Sequence, residues 1–178
     1  MPPADLDRWL PDPSLCVRHR GAAAVDPERL WHAAQTVRLS DTRVLGRLVR
    51  WRIPGIPRAA SFDQLFRNYP FVALEEVELG LIAGLVGKIW TLRRDYPALG
   101  DPEEFRSWSR RGTARVLFAN WVEPTTDGGA AMISESRVEA LGVEGRVGLA
   151  AVRPFVAASQ QLIATEAIEA ALGRAQRL

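Results

Sequence analysis

The sequence predicts an α+β domain that combines a set of antiparallel strands with one long C-terminal helix. Two observations predict this class. Apolar residues between positions 71 and 141 recur with the short, alternating spacing of strands, whereas those between 145 and 176 recur at helical spacing. A chain of 178 residues is also of one-domain size and long enough to bury a core.

Composition and charge exclude several classes of protein. The chain is 47% hydrophobic and 25% charged, which is typical of globular proteins. Its formal net charge of +2 is too small to indicate nucleic-acid binding, and the arginines at 43–52 are interpreted as a solvated helix face. The single cysteine, Cys16, excludes an intramolecular disulfide and a cysteine-based zinc site, and we expect no metal or cofactor.

Two absences in the sequence predict the location of the protein. No apolar run approaches the roughly eighteen residues that a membrane-spanning helix needs, and no charged-then-apolar segment opens the chain. We therefore expect a cytoplasmic protein without stable membrane insertion. Residues 1–14, rich in proline and aspartate, are predicted to be an N-terminal tail or edge segment, and residues 15–178 a single domain.

The first elements are a strand and two helices. Residues 15–24 alternate weakly in polarity and favour a strand. A helix over 26–37 follows, because Asp26 is suited to cap its free amides and Pro27 to occupy its first position. A second helix is predicted over 42–51, and the prolines and glycine of "IPGIP" end it.

Short helices and strands fill the middle of the chain. Ser61 and Gln64 have the spacing of a capping box, which predicts a short helix before Pro70. Residues 71–92 then favour two strands with a turn near positions 78–80. The remaining predicted elements are a short helix at 101–108, strands at 113–124 and 129–141, and the helix at 145–176, in which Pro154 is a possible kink.

This order of elements, together with three motifs, resembles the helix-grip fold of the START-related, polyketide cyclase-like superfamily (SRPBCC). The motifs are "AAAVDPERLWHAA", where a strand leads into a helix, the glycine-bearing strand "GLVGKIW", and the strand "SESRV" at 134–138. The terminal helix that carries Phe155 completes the likeness, which is greatest to an uncharacterised bacterial branch. The chain departs from the family in offering four strands after the first helices where six are usual.

The resemblance implies a curved antiparallel sheet wrapped around the C-terminal helix, with an apolar cavity between them. Members of the superfamily bind lipids, hormones, isoprenoids or polyketides there, and a few catalyse reactions. Alternation along each strand and the apolar face of the terminal helix select the residues expected to contact such a ligand. They are Leu85, Ile89, Val116, Phe118, Asn120, Met132, Ser134, Ser136, Phe155, Ser159, Leu162 and Ile163.

Four residues form a possible polar anchor, and their direction is left open by the sequence. Lys88 and Trp90 alternate with the apolar cavity-side residues of their strand, and Glu135 and Arg137 do so in theirs. This alternation favours an outward direction, where the charged groups pair in solvent and the stem of Lys88 lies across Trp90. The alternative directs all four into the cavity as an anchor for the carboxylate or carbonyl of a ligand.

Three functional hypotheses follow. The preferred one is the binding or transport of a hydrophobic small molecule, without catalysis. The second is a polyketide cyclase or dehydratase that uses Lys88 or His19 as its acid–base group. The third is an interaction module with a filled core, in which Trp51, Trp108 or Trp121 is exposed to a partner. Cys16 is expected to be a buried or half-buried, inert thiol.

Overall fold

A five-stranded antiparallel sheet, in the order β1-β5-β4-β3-β2, forms the centre of the protein. The computed structural model describes residues 5–53, 55–91, 93 and 95–177; within these ranges the side chains of residues 52, 155, 160, 163 and 164 are not described. The predicted ligand contacts Phe155 and Ile163 therefore lie outside the described side chains. The protein is an α+β protein with a long C-terminal helix, as the sequence predicts.

The secondary structure follows the predicted order closely. Its elements are α1 (Leu6–Trp9), β1 (Leu15–Ala23), α2 (Pro27–Thr36), α3 (Leu45–Arg52), α4 (Phe62–Arg67), β2 (Val72–Val77), β3 (Gly80–Gly87), α5 (Pro102–Ser107), β4 (Ala114–Pro124), β5 (Ala130–Ala140) and α6 (Gly142–Ala175). A 3-10 turn at Leu39–Asp41 precedes α3. The tight β2–β3 hairpin confirms the turn predicted near positions 78–80.

Local capping determines where the short helices begin. The carboxylate of Asp26 accepts hydrogen bonds from the amides of residues 28 and 29, and Pro27 occupies the first turn of α2. Ser61 and Gln64 form the predicted capping box at the start of α4. The side chain of Asp101 likewise caps α5, so the local sequence determines where these helices begin.

The two faces of the sheet are covered by different elements. The inner face packs against α2, α4 and α6, whereas the outer face packs against α1 and α5. Alternation along β3 places Leu81 and Ala83 on the inner face and Ile82 and Val86 on the outer face, and all four are buried. A strand buried on both faces reads as a continuous apolar run, which explains the composition of β3.

The N-terminal segment, predicted to be a tail or an edge segment, is part of the packed structure. Leu6, Trp9 and Leu10 are at most 6% exposed and cover the outer face of the sheet. The indole nitrogen of Trp9 donates a hydrogen bond of 3.0 Å to Glu75 on β2. The prolines and most of the aspartates that predict a tail flank these apolar residues. The segment folds because its apolar residues cover the outer face of the sheet.

Helix α6 runs across the inner face and is continuous through Pro154. At one end Leu149 packs with Leu15 and Val116, and at the other Ile168 packs with α2 and the opposite end of the sheet. A side chain at Gly21 on β1 would collide with Ile168, so glycine permits the close approach of the strand to the helix. Within the part of the chain that the structure describes, no helix combines the length and apolarity needed to cross a membrane.

Hydrogen bonds connect α2 and α3 to α6. The guanidinium of Arg29 on α2 donates to the backbone oxygen of Ala175 at 2.8 Å. The carboxylate of Glu166 on α6 accepts from the backbone amides of Val44 and Leu45 at the start of α3. These bonds hold the helices as a layer above the inner face of the sheet.

Candidate functional site

A recess lies on the inner face of the sheet, between α2, α4 and the C-terminal half of α6. Its volume is about 50 Å³. The lining is mostly apolar and is contributed by Trp31, Ala34, Gln35, Val37, Phe62, Asp63, Phe66, Leu81, Phe118, Asn120, Met132, Ser134 and Ala167. A cavity of this size holds a few water molecules and is smaller than the roughly 300–1,000 Å³ of most ligand pockets.

Three phenylalanines form one wall of the recess and its surroundings. The ring centroids of Phe66, Phe71 and Phe118 are 5.2 to 5.7 Å apart, and two of the three pairs meet edge to face. Phe71 and Phe118 are only half-buried although they lie beneath the helical layer. The inner face therefore retains accessible apolar surface.

A row of three polar side chains crosses the inner face beside this wall. His19 on β1 lies opposite Ser134 on β5, which lies opposite Asn120 on β4. Ser134 and Asn120 line the recess, and His19 shares the inner side of β1 with Gly21. Neighbouring strands are about 4.8 Å apart, so this polar row spans roughly 10 Å.

The polar row has no hydrogen-bond partners of its own among the described residues. Nε2 of His19 is buried without a partner. The side chains of Ser134 and Asn120 make no hydrogen bond within the described parts of the chain, but of these three groups only the imidazole nitrogen is a buried polar atom left unpaired. Ser134 is 9% exposed, and Ser136, which also faces inward from β5, is 7% exposed. A buried polar group left without a partner costs about 1–3 kcal/mol. The row is thus suited to accept a partner that enters the recess.

The predicted polar anchor at Glu135 and Arg137 lies on the outer face. Glu135 is not in solvent as its alternation suggested; it is 5% exposed, and Nε of Arg137 donates to its carboxylate at 2.7 Å. Arg137 also pairs with Asp7 at 2.5 Å and donates to the backbone oxygen of Leu10. The N-terminal segment produces this burial because it covers the outer face.

The ionic state of Arg137 follows from the same contacts. Burial lowers the pKa of its guanidinium, but its hydrogen bonds to the carboxylates of Asp7 and Glu135 raise that pKa by more, so the net shift is upward. Arg137 thus remains charged and engaged on the side of the sheet away from the recess. It contributes no cation to the inner face.

The other two residues of the predicted anchor, Lys88 and Trp90, also lie away from the recess. Strand β3 ends at Gly87, where φ is 146°, so alternation does not extend to Lys88 and Trp90. The Trp90 ring packs against Gly148 of α6 instead of pointing outward, and Ile89 joins the same apolar cluster.

Lys88 is half-buried, and its backbone amide donates to the oxygen of Asp95 at 3.2 Å. Leu81 is the member of β3 that lies in line with the polar row, and Gly87 comes six residues later. This separation corresponds to roughly 20 Å along the strand. Glu135 lies opposite Ala119, near the row, so the strand register keeps Lys88 apart from both Glu135 and His19.

The remaining predicted ligand contacts divide between core and helix. Leu85 and Val116 face inward but pack with Leu149 as core. The hydroxyl of Ser159 donates to the oxygen of Val156 at 2.9 Å, so it bonds to its own helix. Leu162 is half-buried on α6. Phe118, Asn120, Met132 and Ser134 are the predicted contacts that the recess brings together.

Several lining residues were not predicted. Trp31 and Gln35 are four residues apart on α2, a spacing that puts both on one face of a helix, and this signal was available in the sequence. Asp63 and Phe66 reach the recess from α4, and Asp63 is ion-paired with Arg67 at 2.9 Å. Their role depends on where α4 docks, which local sequence does not encode.

The tryptophans proposed as partner contacts differ in exposure. Trp51 is 57% exposed, whereas Trp121 is 1% exposed because it lies on the outer face under the N-terminal segment and beneath the guanidinium of Arg18. Trp108 is half-buried and donates to the hydroxyl of Thr113 at 3.0 Å. Trp121 is therefore excluded as an exposed contact.

Among the described residues, no group of three or more His, Cys, Asp or Glu side chains is arranged to hold a metal ion.

Comparison with known proteins yields structural neighbours only. No family model matches the chain, and no curated protein matches it. A hypothetical protein of Helicobacter pylori, jhp0584, superimposes with a TM-score of 0.42 at 8% identity, covering 94% of this chain and 92% of its own. TTHA0849 from Thermus thermophilus gives a TM-score of 0.38 at 12% identity, covering 92% of this chain and 98% of its own.

Proposed function

We propose that this protein binds a hydrophobic small molecule, of lipid, isoprenoid or polyketide-like character, between its sheet and helices in the manner of a helix-grip protein. One observation supports the proposal above the others. The inner face combines accessible apolar side chains with a few polar groups, one of them a buried imidazole nitrogen without a partner, which is the composition of a small-molecule site.

The energetic argument is the burial of apolar area. Trp31, Phe71, Phe118 and Ala167 are half-buried around the recess, and a ligand would cover the surface that they retain. Each square ångström of apolar surface removed from water contributes about 25 cal/mol. Since the recess of about 50 Å³ is smaller than such a ligand, binding requires its walls to separate.

A neutral fluorescent probe, N-phenyl-1-naphthylamine, tests the proposal. We expect saturable binding that Ala167→Leu weakens at least tenfold, because the added methyl groups occupy the recess. Ala158→Leu on the same helix, at an exposed position, should leave binding unchanged. Absence of probe binding, together with native mass spectra showing no retained apolar ligand, would exclude the function.

A cyclase or dehydratase is a second candidate, favoured by the inward, unpartnered imidazole of His19. Lys88 would not take part, because the strand register separates it from His19. Turnover of a poly-β-keto thioester mimic, lost in His19→Gln while ligand binding persists, would support this candidate. Equal turnover by the variant and the wild type would eliminate His19 as the acid–base group.

A further inference from the structure

We infer that the polar row of His19, Ser134 and Asn120 selects an apolar ligand whose inner end is an uncharged oxygen group, a hydroxyl or a ketone, and discriminates against carboxylates. The inference rests on the proposed function and names the chemical class of ligand for the same site. It excludes the carboxylate that the predicted anchor, with Lys88 and Arg137, would also have bound.

The hydrogen-bonding capacity of the row matches neutral oxygen groups. A serine hydroxyl and an asparagine amide each donate and accept, and the imidazole offers a further ring nitrogen for hydrogen bonding. Three such groups on adjacent strands, about 10 Å from end to end, offer donors to a ketone and both donors and acceptors to a hydroxyl.

The charges around the recess oppose an anionic ligand. Among its described lining residues there is no lysine or arginine, and the one ionisable side chain is the carboxylate of Asp63. Arg67 already pairs with Asp63 at 2.9 Å. A ligand carboxylate would therefore lose its hydration without gaining an ion pair, a loss that outweighs neutral hydrogen bonds.

The sheet itself separates the row from the nearest strong cation on β5. Arg137 projects from the outer face, where Glu135 and Asp7 bind it, whereas Ser134 and Ser136 project inward from the same strand. Ser134 and Ser136 are both more than nine-tenths buried and make no side-chain hydrogen bond among the described residues. A ligand oxygen beside Ser134 would gain a hydrogen bond without any change in charge.

Three probes of equal chain length test the inference by displacement of N-phenyl-1-naphthylamine at pH 7.5. They are decan-1-ol, decan-2-one and decanoate. We expect the alcohol and the ketone to bind at least tenfold more tightly than decanoate, a ratio equivalent to about one buried hydrogen bond. Ser134→Ala and Asn120→Leu should each weaken alcohol binding about fivefold or more, and should weaken it by a larger factor than they weaken decanoate binding.

Ser40→Ala, an exposed serine outside the recess, serves as the matched control and should leave every affinity unchanged. Should Asn120→Leu fail to fold, Ser134→Ala decides alone, because it removes one oxygen atom from an otherwise intact strand. Tighter binding of decanoate than of decanol, or unaltered alcohol binding in the row variants, overturns the inference and leaves the proposed function standing. Failure of every probe to bind overturns both.

Discussion

At the scale of single residues, Gly148 allows an unusually close contact between α6 and the segment after β3. A Cβ placed on Gly148 would lie 2.6 to 2.8 Å from atoms of the Trp90 ring, closer than real side-chain contacts come. Trp90 in turn belongs to the cluster that holds the N-terminal half of α6 on the sheet. Glycine here is needed for packing, since helix propensity alone would favour alanine.

Gly148→Ala should therefore lower the free energy of unfolding by about 1–3 kcal/mol, because overpacking outweighs the gain in helix propensity. Gly173→Ala in the same helix is the matched control, since its Cβ would meet only the flexible end of Arg177 at 3.5 Å. That variant should be stabilised by about 0.5–1 kcal/mol. Urea denaturation measures both, and equal stabilisation of the two variants would refute the packing role of Gly148.

Cys16 provides a prediction about reactivity. The residue is exposed, contrary to the burial expected from the sequence, but its Sγ lies 3.7 Å from the carboxylate of Glu135. Partial burial of the thiol, followed by the charge of Glu135, raises the pKa of Cys16 above its ordinary value. Because only the thiolate reacts, the raised pKa means less thiolate at any pH below it.

Alkylation of Cys16 by iodoacetamide should accordingly be slower than that of an unstructured cysteine peptide at pH 8. The rate should continue to rise with pH beyond the point at which the peptide reaches its plateau. Urea-unfolded protein is the internal control and should react like the peptide. A folded protein that alkylates faster than the peptide would contradict the assigned pKa direction.

At the scale of elements, the N-terminal segment of residues 5–14 acts as a cover for the outer face. Leu10 is fully buried there, and Arg137 binds both its backbone oxygen and the carboxylate of Asp7. The segment lies far from β5 in sequence and meets it through Arg137, a few apolar side chains and the hydrogen bonds of Ser14 to the backbone of Val138 and Ala140. Its packing also explains why Glu135 and Trp121 are buried.

Leu10→Ala should lower the free energy of unfolding by about 2–4 kcal/mol, because it leaves a cavity between the segment and the sheet. Asp12→Ala, at an exposed position of the same segment, should remain within about 0.5 kcal/mol of the wild type. Chemical denaturation distinguishes the two. If both substitutions are neutral, the segment contributes nothing to the stability of the domain.

At the scale of the whole molecule, α6 packs against both ends of the inner face of the sheet and contains one proline between these contacts. Pro154 lies between the contacts of Leu149 and those of Ile168, inside a helix of 34 residues. A proline in a helix interior lacks the amide for one hydrogen bond and clashes with the preceding turn. The helix keeps its course because both ends are anchored by apolar clusters.

Pro154→Ala should therefore raise the free energy of unfolding by about 1–3 kcal/mol, since it restores a backbone hydrogen bond in an exposed part of the helix. The neighbouring exposed substitution Arg153→Ala should have an effect within about 0.5 kcal/mol. Thermal and urea unfolding provide the comparison. A destabilised Pro154→Ala variant would mean that the proline is required for the path of the helix.

Much of the fold was predictable because its signals are local. Asp26, Ser61 and Asp101 cap the helices predicted from them, and alternation assigned Leu81 and Ser134 to the inner face. The candidate site was predictable only in part. Asn120 and Ser134 were selected by alternation within their own strands, but the alignment of His19 with them depends on strand register.

Local patterns in the amino-acid sequence specify the order and most of the limits of the helices and strands, and the division of strand residues between two faces. Tertiary structure alone decided which segment covers each face, and hence that Arg137 is held outside and the polar row inside. Caps and alternation act over a few neighbouring residues. Docking of the N-terminal segment and alignment of His19 with residues more than 100 positions away are decided by the burial and strand pairing of the complete chain.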